Sequence, residues 1–198
     1  MLTYPCGDPG APLLVLAHGA GSGEEHPWMR RVGTGLAARG ISTVTFNFPY
    51  RQEGRRLPDR GPVLEEAFAL AWGQAMSRLP GSTERAVFAG GKSMGGRIAS
   101  QLAATGGFEP ELSGLVFFGY PLHPPGKPAQ RRDRHLPRIS RPLLFVHGSR
   151  DPFGSPEEMH GLIGSLRTAT LHIVEGGDHS LIAPKRHDSE GRALDVAL

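Results

Sequence analysis

The residues best placed for chemistry are "GKSMG", positions 91 to 95, between an apolar run and an alanine-bearing stretch. The segment contains Gly-Lys-Ser, the close of a phosphate-binding loop. It also contains G-x-S-x-G, the signature of a serine on a sharp strand-to-helix turn. Counting separates the two. A phosphate-binding loop needs a glycine five residues before Gly91, and that position is Ala86. Val87, Phe88 and Ala89 then continue an apolar strand, which leaves no room for a loop that wraps a phosphate. The turn reading fits without adjustment. Gly91 and Gly95 stand two residues either side of Ser93, where side chains would collide across a tight turn, and Gly96 lets the following helix approach its neighbouring strand. Lys92 reads as a packing or surface residue beside the turn.

A serine hydroxyl becomes a useful nucleophile when a base removes its proton and a carboxylate orients that base. On a strand–turn–helix mount the expected chain order is serine, acid, histidine, each on a loop after a strand. "SRDPFG" follows one apolar run and supplies Asp151; "EGGDHS" follows another and supplies His179. Ser93, Asp151 and His179 therefore form a candidate triad. Glu175 is the alternative acid, whereas Asp178 is adjacent in sequence to His179 and poorly placed to face it. Donors for a developing oxyanion are expected from the backbone N–H of Met94 and from the loop "HGAGSG" (18–23), through Ala20 or Gly21. That loop is not a dinucleotide site, because G-x-G-x-x-G counted from Gly19 and Gly21 requires glycine at position 24, which is Glu24.

These residues need a scaffold that presents loops at one end of a sheet. Short apolar runs occur at 12–17, 41–48, 85–90, 114–119, 142–148 and 169–174, several rich in Val, Ile and Phe. Such runs read as strands buried on both faces of a parallel sheet. Helical stretches are expected near 25–39, 62–79, 94–105 and 156–166, with a further one after 180. In the second of these, Pro62 suits a first turn and Val63, Ala67, Leu70 and Ala71 recur at helical spacing. The alternation predicts an α/β fold with a parallel sheet in one domain spanning 1–198. Two long, basic, proline-rich connections, 49–61 and 120–141, interrupt the rhythm. Long connections of this kind are either surface loops or walls of an active site. As walls they would bring Tyr50, Arg51, Tyr120 and His123 to a substrate pocket beside His18.

Taken in order, "HGAGSG", "FNFPYR", "GKSMGGR", "GYPLHPPGKP", "HGSRDPFG" and "GGDHS" resemble the α/β-hydrolase superfamily. The sequence looks most like its small lidless, dienelactone-hydrolase-like branch, which includes relatives of testis-expressed protein 30 and many bacterial α/β family hydrolases. The resemblance runs from about residue 10 to residue 182. It implies a three-layer fold of about six mostly parallel strands without a lid domain, and Ser93, Asp151 and His179 as the triad. Some eukaryotic relatives act in complexes, so fold alone does not settle activity.

Composition narrows the classes further. The formal charge is +3, and of 22 basic residues only three are lysine. The arginines cluster in the two proline-rich connections with few aromatics nearby, so no nucleic-acid partner is expected. They could instead rim a site for anionic substrates. Cys6 is the only cysteine, which excludes an intrachain disulfide and a CxxC metal cluster. No apolar run approaches the ~20 residues that span a bilayer, and no signal segment is visible, so a cytoplasmic protein without membrane contact is expected. The leading expectation is a serine esterase or thioesterase acting on a small ester, without cofactor or metal. The alternative is a non-catalytic scaffold or regulatory subunit on the same fold. The sequence assigns no oligomeric state.

Overall fold

Each apolar run becomes a strand; the central ones are buried on both faces, while the last, 169–174 at the sheet edge, alternates between exposed and partly buried residues. In the computed structural model, which describes residues 1–78, 85–184 and 194, these strands are β2 (Leu13–Ala17), β3 (Ser42–Phe46), β4 (Val87–Lys92), β5 (Gly114–Phe118), β6 (Leu143–Gly148) and β7 (Ala169–Val174). The sequence reading expected about six strands, and the sheet has seven, in the order β1-β3-β2-β4-β5-β6-β7. The addition is β1 (Leu2–Tyr4), which runs antiparallel to β3 with Leu2 opposite Thr45 and Tyr4 opposite Thr43. Three residues are too few to show a period, so β1 left no pattern to read. All other pairings are parallel.

Side-chain alternation along the strands builds two cores. Leu13, Val15 and Ala17 of β2 face one layer with α3 (Gly61–Arg78), α4 (Met94–Ala103) and α5 (Pro156–Gly164); Leu14 and Leu16 face α1 (Pro27–Ala37) with Leu181 and Leu194. The result is the expected three-layer α/β fold. Helix α3 uses a different face from the one read in the sequence. Leu64, Phe68, Ala71, Trp72 and Ala75 are buried, whereas Val63 and Leu70 are 43% and 61% exposed. The stripe through Phe68 and Trp72 wins because those rings stack edge-on against Phe108, with centroids 5.5 and 4.9 Å away. A short helix, α2 (Pro49–Gln52), lies in the first basic connection. The helical stretch expected after residue 180 lies largely outside the described residues.

The topology dictates where loops converge. From β2 the chain steps outward to β3, then crosses back to place β4 on the other side of β2. The strand order reverses there, and loops leaving the carboxyl ends of β2 and β4 part to open a crevice. Ala17, the last residue of β2, is in register with Gly91. The HGAGSG loop and Ser93 therefore emerge side by side.

Candidate active site

Ser93 joins β4 to α4 with φ 51° and ψ −113°, a conformation that costs a non-glycine residue about 1–3 kcal/mol. The fold holds it there from both directions. Its N–H donates to Phe118 O at the end of β5 (3.0 Å), and its carbonyl accepts from Arg97 N (3.1 Å) in the first turn of α4. The flanking glycines make the approach feasible. A Cβ on Gly91 would lie 2.5 Å from Gly96 N, and one on Gly95 would lie 2.5 Å from Ala17 O. Gly95 is thus the residue that lets α4 close on β2, while Gly96 packs its turn against Phe117 of β5.

His179 and Asp151 reach this serine from the loops after β7 and β6. Asp151 is 4% exposed, and its two oxygens have separate partners. Oδ1 accepts from the Phe153 backbone N–H (2.9 Å), which leaves Oδ2 aimed at His179 Nδ1 (2.7 Å). A carboxylate only accepts, so Nδ1 carries the proton and Nε2 presents its lone pair. Ser93 Oγ lies 2.9 Å from that Nε2 and donates to it. The ring of Phe153 stacks on the imidazole with centroids 4.1 Å apart. Phe153 is itself held by the 120–141 connection, since His123 N donates to its carbonyl (3.1 Å). Glu175, the alternative acid, is exposed at the end of β7, and the Asp178 carboxylate accepts from the N–H groups of Ser180 and Ile182 instead (2.7 and 3.1 Å).

The HGAGSG loop is shaped from beneath by His18, which is fully buried. Its Nδ1–H donates to Gly19 O (2.9 Å) while Nε2 accepts from Phe48 N–H (3.2 Å). Accepting at Nε2 requires the neutral ring, and burial pushes its pKa down to about 4, helped by the Arg51 charge. Ala20 and Ser22 lie on the wall of the cleft beside Ser93, and Gly21 between them takes φ +73°. Met94 opens α4, so its backbone N–H has no partner inside the helix.

The residues expected to line the substrate pocket sit elsewhere. The cleft beside Ser93, about 310 Å³ in volume, is walled by His26, Trp28 and Met29, by Phe153, and by Lys92. His18 and Tyr50 are buried behind the HGAGSG loop, their rings edge to face at 5.9 Å. Arg51 packs behind Gly23 of that loop. Tyr120 is in the core between Phe117 and Phe145, its hydroxyl donating to Arg132 O (2.8 Å). His123 pairs with Glu158 (3.1 Å) and with Pro124 O (2.8 Å), the carbonyl chiefly raising its pKa. The proline-rich connections thus support the site from behind, because their aromatic residues have more apolar surface to bury in the core than the cleft offers. Among the arginines, Arg55 is paired with Glu53 and Asp59 (2.7 Å each). The true walls went unread because Trp28 and Met29 also belong to the buried face of α1, where core packing explains them equally well.

Comparison with known proteins places the chain in a known class. The alpha/beta hydrolase domain family matches residues 10–195, and the chain belongs to that family. Solved structures share the fold at low identity. A dienelactone hydrolase from Anabaena variabilis is 22% identical, with TM-score 0.70 over 98% of this chain and 87% of that one. A lidless serine hydrolase from Xanthomonas campestris is 16% identical, with TM-score 0.70 over 94% and 78%. Est1E from Butyrivibrio proteoclasticus, solved with ferulic acid bound, is 14% identical, with TM-score 0.74 over 98% and 92%. No helix among the described residues is long and apolar enough to cross a membrane.

Proposed function

We propose that the protein is a serine hydrolase that cleaves a small carboxylic ester or thioester through an acyl-enzyme. The observation that carries this reading is the unbroken chain from Ser93 Oγ to His179 Nε2 (2.9 Å) and from His179 Nδ1 to Asp151 Oδ2 (2.7 Å). In the first step His179 takes the Ser93 proton as Oγ attacks the carbonyl carbon, and Asp151 stabilises the imidazolium that forms. The amides of Met94 and Ala20 receive the oxyanion, and the helix α4 N-terminus adds its positive end. His179 then protonates the leaving alcohol or thiol, and a water deprotonated by the same ring releases the acid. The cleft walls of Trp28, Met29 and Phe153 suit a compact acyl group. Ester chemistry is also in keeping with the dienelactone hydrolase and with Est1E. A scaffold would gain nothing from holding Ser93 at φ 51°.

The test is a fluorophosphonate probe alongside a panel of short-chain esters and thioesters. The expected result is a covalent adduct on Ser93 and turnover that the probe abolishes. A folded protein that forms no adduct and hydrolyses none of the panel refutes the reading.

A further inference from the structure

The residue between the glycine and the serine of the turn has a place of its own. Lys92 ends β4, is only 9% exposed, and reaches both the HGAGSG loop and the loop that carries His179. Its stem lies beside Gly19, where a Cβ would stand 3.5 Å from Lys92 Cγ. Its ammonium donates to the backbone carbonyl of His179 and sits 5.7 Å from the centroid of Trp28. Trp28 in turn donates from Nε1 to the carbonyl of Ser180 (2.9 Å). Two consecutive carbonyls, 179 and 180, are thus gripped by two side chains that contact each other, one from the nucleophile strand and one from α1. The next residue, Leu181, holds φ 62°, so the loop turns sharply directly after the grip.

We propose that Lys92 is a positioning residue: it ties the His179 loop to the strand that carries Ser93, so that one strand both mounts the nucleophile and aims its base. The proposal rests on the serine-hydrolase reading. The groups that face the ammonium are the carboxylates of Asp151 after β6 and Asp178 after β7, and the imidazole of His147 at the end of β6. Burial draws the Lys92 pKa down to about 8 against the pull of the two carboxylates. Above that value the ammonium loses its charge, its charge-assisted bond and its attraction to the Trp28 face. The grip therefore loosens within an accessible pH range.

The experiment measures the rate of fluorophosphonate labelling at Ser93 per folded molecule, from pH 6 to about 10, in wild type, Lys92→Met and Lys92→Arg. A misplacement of about 1 Å costs about 10²-fold, and that is the loss expected for Lys92→Met, whose wild-type alkaline limb near pH 8 should also vanish. Lys92→Arg keeps a permanent charge, so it should recover much of the rate and show no alkaline limb. Should the Met variant fail to fold, the Arg profile decides. The proposal is overturned if Lys92→Met labels at the wild-type rate, if Lys92→Arg keeps the limb, or if the wild-type profile is flat through pH 8. Wild type that forms no adduct at any pH sinks the serine-hydrolase reading itself, which separates the two failures.

Discussion

At the scale of single residues, the site joins two demands that act in opposition. Ser93 must stand clear of the sheet, and the conformation that lifts it is costly for any residue with a side chain. The two demands can be separated by substitution. Ser93→Ala removes the nucleophile and keeps the strain, whereas Ser93→Gly removes both. Both should lower ester turnover by at least about 10⁴-fold, while the Gly variant should be the more stable of the two by about 1 kcal/mol. Urea melts beside turnover assays check this, and equal stability of the two would show that the turn is not strained. Asp151 makes a subtler case. Asp151→Asn can keep the Phe153 bond through its amide oxygen, but its NH₂ then faces His179 and favours the wrong tautomer. Turnover should fall about 10³–10⁴-fold with little change in melting temperature. A variant within tenfold of wild type would remove Asp151 from the mechanism.

At the scale of elements, the ends of strands carry the site, and one of them holds a residue whose function was invisible in the sequence. Gly119 closes β5 at φ +62°, with its N–H bonded to Val146 O (2.8 Å). A Cβ there would lie 2.8 Å from His179 O, 3.3 Å from His179 Nδ1 and 3.4 Å from Asp151 Oδ2. Gly119→Ala should therefore cost about 1 kcal/mol in stability for the left-handed backbone and lower turnover ten- to a hundredfold by displacing the acid–base pair. Loss of stability without loss of turnover would show that the pair tolerates the methyl group. This position illustrates what a sequence can and cannot convey. The six parallel strands, the Ser93 turn and the chain order of Asp151 and His179 were legible because each follows from local pattern: apolar runs, small residues at fixed offsets, a polar residue just past a strand. The buried face of α3, the fate of Tyr120 and the walls of the cleft were not. They are set by which ring finds a partner across the core, as Phe68 does with Phe108 and Tyr120 with Phe145, and one-dimensional spacing carries no record of such choices.

At the scale of the whole molecule, buried bases on either side of neutrality couple the fold to pH. His18 and His135 are both drawn down to about 4, each chiefly by burial and each with arginine charge nearby: Arg51 for His18, Arg97 and Arg138 for His135. Unfolding frees them to protonate near their ordinary value of 6.5. Between 6.5 and 4 the unfolded chain thus binds protons that the folded chain refuses, and stability present above 6.5 is lost as pH falls. A full proton corresponds to about 1.4 kcal/mol per pH unit; His18 should approach that, and the less buried His135 should contribute less. Lys92 applies the same linkage on the alkaline side. Its folded value of about 8 lies below its ordinary 10.5, so between these the unfolded chain again holds the extra proton and the folded state gains stability as pH rises. Function should move the other way, because the grip on His179 weakens as Lys92 loses its charge. Urea melts and Ser93 labelling on the same samples from pH 7 to 10 should therefore diverge, stability rising in wild type relative to Lys92→Met while labelling declines. Parallel decline of both in wild type would mean that alkaline inactivation is unfolding, and would leave the lysine no part in it.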